Sequence, residues 1–206
     1  SGVKLRPWHI ALLAAMNRIS VKVSKIPVVA VLSTGSELAN LGSKLKPGQI
    51  VGTNNLTLML MVEELGGSAV DLGIAEDDAD TIAKRLKLGL RKADLVLVTG
   101  GASVGGPDYT MQALRHLGEC EVVAHGIAMR PSKPTGLTIV NGTPIIVLPG
   151  NPVAAMIAFE AFARPVIALM LGLRSWERPK TRARLTRSVA STPGHAVFLR
   201  VSLTRR

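Results

Sequence analysis

Residues 94–108, DLVLVTGGASVGGPD, give the clearest indication of the fold, because an apolar run typical of a buried strand leads directly into a glycine-rich loop. Residues 144–152 (PIIVLPGNP) and 28–37 (VVAVLSTGSE) repeat this arrangement. Glycines allow backbone N–H groups to approach an anion closely, and a helix N-terminus just beyond adds partial positive charge. We therefore expect the three loops to lie along the carboxyl edge of one open sheet and to bind a phosphate-bearing ligand.

Strands and helices alternate along the chain. Apolar runs predict buried strands at residues 28–32, 69–74, 94–98, 122–128, 135–140 and 144–148, and polar–apolar alternation predicts an edge strand at residues 20–25. Helical spacing predicts helices at residues 5–16, 53–65, 77–90, 109–117 and 153–171. The pattern predicts an α/β fold, a doubly wound and mostly parallel sheet with helices on both faces, with one hairpin at Asn141-Gly142.

The same pattern predicts three parts. Residues 28–173 form the α/β domain, and residues 1–27 supply a lead-in helix and an edge strand that we interpret as the remnant of a preceding domain. Residues 174–206 are expected to be a linker followed by the start of a small β domain, which is too short to fold alone.

Composition narrows the class of protein. The chain has 206 residues, of which 47% are hydrophobic and 3% aromatic, so it can bury one full and largely aliphatic core. Its one cysteine, Cys120, excludes an internal disulfide and a cysteine-based metal site, which favours a reducing, cytoplasmic location. Glu160, Arg164 and Pro165 interrupt the longest apolar stretch, so we do not expect a membrane span.

Positive charge is concentrated at the carboxyl end. The net charge is +11, and residues 174–206 contain nine Lys or Arg against one Glu. Apolar and basic residues alternate there, which predicts short strands over residues 181–203 with the charges facing solvent. The residues expected to turn inward are Leu185, Val189, Val197, Leu199 and Val201. Since no nucleic-acid-binding motif accompanies the charge, we expect no nucleic-acid partner.

Six ordered motifs together resemble a known family. They are STGSEL at residues 33–38, Thr53-Asn54, TGGASVG at residues 99–105, Asp108-Tyr109, RPSKP at residues 130–134 and LPGNPV at residues 148–153. In this order and spacing they are similar to the molybdopterin molybdenumtransferases, the MoeA and gephyrin E-domain family, of which they cover the carboxyl-terminal half. One departure is Ser132, which replaces the usual Gly of the Pro-Gly-Lys-Pro turn.

The resemblance implies a transferase of molybdenum cofactor biosynthesis with a molybdopterin-binding fold. Such an enzyme takes adenylylated molybdopterin and molybdate as substrates, inserts molybdate into the dithiolene with Mg²⁺ and releases AMP. The resemblance also implies a homodimer and a molybdopterin adenylyltransferase as partner.

Three carboxylates stand at loop positions and are candidate ligands for Mg²⁺. Glu37, Asp77 and Asp108 each follow a predicted strand, so they are expected to converge at one sheet edge, with water and phosphate completing the coordination. The alternative is that Glu37 and Asp108 are only helix or turn residues and that Asp77 is a helix cap, a role that Asp78 and Asp80 could equally fill. The resemblance places all three in the metal and molybdate region.

A lysine and the glycine loops complete the candidate site. Lys133 lies in a proline-stiffened turn and can neutralise phosphate or molybdate, although it could also be an exposed loop lysine. Together with Glu37 and Asp108 it forms the predicted catalytic set. The predicted binding residues for the pterin and its phosphate are Thr34, Gly35, Gly100, Gly101, Ser103, Gly105, Pro131, Ser132, Pro149, Gly150, Asn151 and Pro152. Thr34 and Ser103 could instead cap their own turns, and the four histidines are interpreted as structural or surface residues.

Two other functions stay open at this point. The first is a molybdopterin adenylyltransferase of the same fold, although such proteins need neither the helix before the first strand nor the basic tail. The second is a non-enzymatic module that binds molybdopterin or a protein partner without turnover.

Overall fold

The computed structural model describes residues 2–101, 108–174 and 177–204. Its strands are β1 (Val28–Thr34), β2 (Leu38–Ala39), β3 (Ile50–Val51), β4 (Ser68–Ala75), β5 (Leu95–Thr99), β6 (Cys120–His125), β7 (Met129–Arg130), β8 (Gly136–Val140), β9 (Thr143–Leu148) and β10 (Ala196–Val197). Its helices are α1 (Pro7–Ala15), α2 (Asn54–Leu65), α3 (Ala79–Leu90), α4 (Tyr109–Arg115), α5 (Pro152–Ala158) and α6 (Arg164–Met170).

A six-stranded sheet in the order β4-β1-β5-β9-β8-β6 forms the centre of the domain. The first four strands run parallel to one another, whereas β8 pairs antiparallel with both β9 and β6. The hairpin between β8 and β9 turns at Asn141 and Gly142, whose φ angles of 48° and 79° suit a two-residue hairpin turn. The mostly parallel sheet and its single hairpin confirm the predicted α/β fold.

Both faces of the sheet are covered by helices. Ala30 and Leu32 of β1 belong to an apolar cluster with residues of α3 and α4, whereas Val29 and Val31 belong to a second cluster with residues of α2, α5 and α6. Because successive side chains of a strand point to opposite faces, a strand buried on both faces reads as a continuous apolar run. The aliphatic runs of the sequence are therefore the direct cause of the two-layered core.

One continuous helix, Pro152–Met170, closes the domain. A π-helical turn at Phe159–Ala163 joins α5 to α6 just before Pro165, whose ring cannot supply the N–H that a regular α-helix needs there. The helix is long and apolar enough to cross a membrane, but the core helices of globular domains meet the same criteria of length and composition. Ala158, Phe159 and Ile167 are fully buried against the sheet, so this face of the helix belongs to the core.

The flanking segments differ from the sequence prediction. Residues 20–25 form no strand, and α1 has no buried residue, with Trp8 66% exposed. In the described part of the tail, only Ala196–Val197 forms a strand, paired in parallel with β7. The sequence-based prediction of strands over residues 181–203 is therefore wrong for most of that range. Leu185, Val189, Leu199 and Val201 are also exposed rather than inward, because a short ribbon buries too little apolar surface without a covering partner.

Candidate functional site

The candidate site lies where β4, β1, β5 and β9 end side by side. Backbone hydrogen bonds join neighbouring loops there: Gly35 N donates to Ala75 O at 3.0 Å, and Gly100 N donates to Leu148 O at 3.1 Å. The predicted glycine loops after β1, β5 and β9 therefore share one edge of the sheet. This is the edge at which open α/β sheets usually bind their ligands.

Gly100 and Gly101 allow the chain to turn tightly against β1. Their φ angles are 92° and 71°, in the left-handed region that favours glycine. A Cβ added at Gly100 would overlap the Thr34 carbonyl oxygen, and a Cβ at Gly101 would overlap the Thr110 hydroxyl. Both positions therefore require glycine. Ser103 and Gly105, two further predicted binding residues, lie outside the described residues.

The Thr34 side chain is a buried polar group beside this turn. Thr34 is 3% exposed, and its Oγ1 has no hydrogen-bond partner among the residues that the structure describes. A Cβ at Gly101 would come within 3.2 Å of that oxygen. Because buried hydroxyls are nearly always hydrogen-bonded in proteins, Thr34 Oγ1 is a candidate contact for a bound ligand or water.

The loop after β9 leads into the N-terminus of α5. Asn151 Oδ1 accepts from Val153 N at 3.1 Å and Ala154 N at 3.4 Å, so Asn151 is the helix N-cap in an ordinary extended conformation. Asn54 Nδ2 donates to Gly150 O at 2.8 Å and fixes this loop to the start of α2.

Hydrogen bonds of the buried Ser132 fix the turn that carries Lys133. Ser132 has φ 95° and is 4% exposed, and its hydroxyl donates to Ala154 O at 2.6 Å. The Ser132 carbonyl accepts from the Thr135 hydroxyl at 2.8 Å. Lys133 itself is exposed, while its carbonyl accepts from Ile127 N at 2.7 Å. The lysine backbone is therefore fixed although its ammonium is accessible to solvent.

Asp77 connects the loops after β4 and β1. Its Oδ2 accepts from Ser36 N at 3.2 Å, and its own N–H donates to Ser36 Oγ at 3.2 Å. The N-cap of α3 is the neighbouring Asp78, which accepts from the Thr81 hydroxyl and N–H; these bonds hold the pKa of Asp78 below its usual value. Asp77 is thus not the helix cap that one interpretation of the sequence offered.

Asp108 lies on the side of the site opposite to the loops that carry Glu37 and Asp77. Its Oδ1 accepts from Met111 N at 2.9 Å as the N-cap of α4, and its Oδ2 lies 3.2 Å from His125 Nε2 on β6. In the sheet, β5, β9 and β8 separate β6 from β1, which leads to Glu37. Among the described residues, no three metal-binding side chains lie around one point. The expected convergence of Glu37, Asp77 and Asp108 is therefore not observed, because Asp108 is held by α4 and β6.

Several residues of this edge were not among the site residues predicted from the sequence. His125, interpreted as structural or surface, is the partner of Asp108. Ser36 pairs with Asp77, and Asn55 contacts Ser33, which precedes the loop after β1. The sequence signal that could have found them is their position, since each is a polar residue close to the end of a predicted strand or the start of a predicted helix. Their partners could not be identified without the order of the strands.

Comparison with known proteins gives a consistent result. A family model described as "Probable molybdopterin binding domain" matches residues 30–169. A protein named molybdopterin molybdenumtransferase 2 from Mycobacterium tuberculosis is 36% identical over 207 residues, covering 98% of this chain and 51% of the relative. The chain thus spans about half the length of that relative.

Solved structures show the same likeness. The crystal structure of a molybdopterin biosynthesis MoeA protein from Pyrococcus horikosii has a TM-score of 0.76 and 36% identity, over 84% of this chain and 43% of that one. A tungsten cofactor synthesizing protein MoaB from Pyrococcus furiosus has a TM-score of 0.53 and 19% identity, over 73% of this chain and 99% of that one. The second likeness shows the shared fold alone.

Proposed function

Because the chain belongs to the molybdopterin-binding domain family, we propose that it binds molybdopterin at the carboxyl edge of its sheet. The observation that carries this proposal is the buried Thr34 hydroxyl, which lies beside the Gly100-Gly101 turn and has no partner among the described residues. The loop after β9 joins the same sheet edge through the hydrogen bond from Gly100 N to Leu148 O. The partial positive charge at the N-terminus of the closing helix suits a phosphate, and Thr34 adds a hydroxyl.

The proposed reaction is that of a molybdopterin molybdenumtransferase. Adenylylated molybdopterin and molybdate are the substrates, molybdate enters the dithiolene and AMP is released. Little covalent chemistry falls to the protein, whose contribution is to position the substrates and stabilise negative charge. In this scheme the glycine loops hold the pterin phosphate, and the accessible Lys133 ammonium stabilises an anionic oxygen. The sequence identity of 36% to the relatives, and the names that these relatives carry, support this assignment.

Magnesium is the cofactor that the family resemblance implies. Mg²⁺ commonly uses one or two carboxylates and takes its remaining oxygens from water and phosphate. The described residues place no three potential ligands around one point, and both Asp108 oxygens already contact protein groups. A magnesium ion at this edge would therefore use one or two carboxylates, with water and phosphate as its other ligands. Magnesium dependence stays a prediction, which titration of the ligand with and without Mg²⁺ tests.

Partners and location belong to the same proposal. The resemblance supports a homodimer in the cytoplasm that receives its substrate from a molybdopterin adenylyltransferase. Light scattering measures the assembly state, and a coupled assay with that adenylyltransferase tests whether adenylylated molybdopterin is consumed.

Calorimetry with purified molybdopterin and with its adenylylated form tests the central proposal. We expect binding of both ligands to a protein whose circular dichroism shows a folded α/β domain. Absence of binding at millimolar ligand would overturn the proposal. Formation of adenylylated molybdopterin from ATP would instead identify an adenylyltransferase, and binding with no turnover of the adenylylated form would identify a binding module.

A further inference from the structure

The register between β4 and β1 changes in the middle of the sheet. Val31 lies opposite Asp71, but Ser33, two residues later, lies opposite Ile74, three residues later. The extra residue is a β-bulge at residues 72–73, where Gly73 has φ 77°. A bulge redirects every residue that follows it in the strand, and bulges are frequent beside functional sites.

A chain of polar side chains holds this bulge in place. Asp71 Oδ1 accepts from Gly73 N at 2.7 Å and from Asn55 Nδ2 at 2.6 Å. Asn55 Nδ2 also donates to Gly73 O at 2.8 Å, and Asn55 Oδ1 accepts from Ser33 Oγ at 2.6 Å. Ser33 Oγ in turn lies 2.9 Å from Thr99 Oγ1. Asn55 therefore links the bulge of β4 to β1 and β5, at the residues that directly precede two glycine loops.

The contacts beyond the bulge depend on its register. Thr34 lies opposite Ala75, Gly35 N donates to Ala75 O, and Asp77 exchanges two hydrogen bonds with Ser36. Without the extra residue, Asp77 would move along the strand by about 3.3 Å, and the side chains of this segment would change faces. Asp77 and Ser36 could then no longer form this pair.

We propose that Asn55 and Asp71 are a pair of positioning residues that sets how the loops after β1 and β4 enter the ligand site. Neither residue needs to touch the ligand, because the pair acts through the bulge and through Ser33. Asn55 is 8% exposed, so water does not readily replace the three hydrogen bonds of its side chain. The effect on ligand affinity rests on the proposed function, whereas the effect on the register does not.

The test uses Asn55→Asp, which sets two carboxylates against each other, and the double change Asn55→Asp with Asp71→Asn. The double change restores a donor opposite an acceptor between positions 55 and 71, but not the hydrogen bond to Gly73 O. We expect Asn55→Asp to shift the amide resonances of Ser36 and Asp77 in nitrogen–proton NMR spectra and to weaken molybdopterin binding about tenfold. The double variant should return both towards the wild-type values. Leu58→Ala, one turn along α2 and fully buried, is the matched control. It should lower the melting temperature while leaving both amide resonances and the affinity unchanged.

Unchanged Ser36 and Asp77 resonances in Asn55→Asp would overturn the proposal. If Asn55→Asp does not fold, Asn55→Ala provides the same readout, since it cuts the link to Ser33 without adding charge. A wild-type protein that binds no molybdopterin would contradict the proposed function. The resonances would then still decide whether Asn55 and Asp71 position the loops.

Discussion

The Asp108 carboxylate lies 3.2 Å from Nε2 of His125, across the site from the loops that carry Glu37 and Asp77. Asp108 also caps α4 through Met111 N, so each of its oxygens has a protein partner. A ligand or metal that uses Asp108 must therefore share the carboxylate with the helix or displace the imidazole.

Asp108→Asn tests whether this carboxylate serves binding or only the helix. Asparagine is as good an N-cap as aspartate, so we expect the melting temperature to change by no more than a few degrees. Loss of the negative charge should weaken magnesium-dependent binding of adenylylated molybdopterin, measured by calorimetry with and without Mg²⁺. Asp78→Asn changes the corresponding cap of α3 and should leave binding unaltered. A loss of stability in Asp108→Asn with unchanged affinity would make Asp108 a structural cap.

Thr34→Val should separate stability from binding. Valine has nearly the same shape as threonine and removes a buried hydroxyl that has no partner among the described residues, so we expect the free energy of unfolding to stay constant or rise. Affinity for molybdopterin should fall about tenfold if that hydroxyl donates to the ligand. Thr99→Val is the matched control, because the Thr99 hydroxyl pairs with Ser33. It should lower the unfolding free energy by about 1–3 kcal/mol in urea titrations. Equal stability losses in the two variants would show that Thr34 already has a partner.

Ser132 carries a side chain at a positive φ. Two substitutions separate the backbone strain at this position from the stabilisation by the Ser132 hydroxyl. Ser132→Ala keeps the Cβ at φ 95° and leaves the buried Ala154 carbonyl without the hydroxyl, so we expect a loss of about 1–3 kcal/mol. Ser132→Gly loses the same hydrogen bond but relieves backbone strain of about 1 kcal/mol, so it should be the more stable of the two. Thermal unfolding of the pair measures the difference, and the reverse order of stabilities would refute the strain.

Glu160 should contribute to the acid sensitivity of the fold. Burial opposes its ionisation, but hydrogen bonds from Arg164 at 2.6 and 2.9 Å and from Arg178 outweigh burial and lower the pKa of Glu160 below 4.5. A group with a lowered folded-state pKa stabilises the protein above its unfolded-state pKa, and this contribution disappears as the pH falls through the folded-state value. Stability measured between pH 7 and pH 3 should therefore decline less steeply for Glu160→Gln than for the wild type. Parallel pH profiles would show that Glu160 does not contribute.

Deletion of residues 181–206 tests the tail. It removes the hydrogen bonds that Ala196 N and Phe198 N donate to the Ala128 and Arg130 carbonyls, but keeps the Arg178 contacts with Glu64 and Glu160. We expect the α/β domain to stay folded, while solubility or assembly state changes because exposed Leu199 and Val201 are lost. Retention on duplex DNA should be unaffected. A salt-dependent DNA retention that disappears with the deletion would identify the tail as a nucleic-acid arm.

The strand runs, the glycine turns and the hairpin were predictable from the sequence. Apolar runs such as residues 95–98 must be covered on both faces, and glycines such as Gly100 mark turns whose φ excludes a side chain. The order of the motifs likewise indicated the family, which the family model over residues 30–169 confirms. These features are local, because each depends on a few consecutive residues and on the polarity of their side chains.

The partners of the polar side chains were decided only by the tertiary structure. The sequence offered Asp77, Asp78 and Asp80 as equal candidates for one cap, and the fold chose Asp78 while pairing Asp77 with Ser36, 41 positions away. The strand order likewise brought His125 to Asp108, and the bulge in β4 brought Asn55 to Asp71. A hydrogen bond requires two groups within about 3 Å, and only the packed sheet fixes distances of that size between residues far apart in the chain.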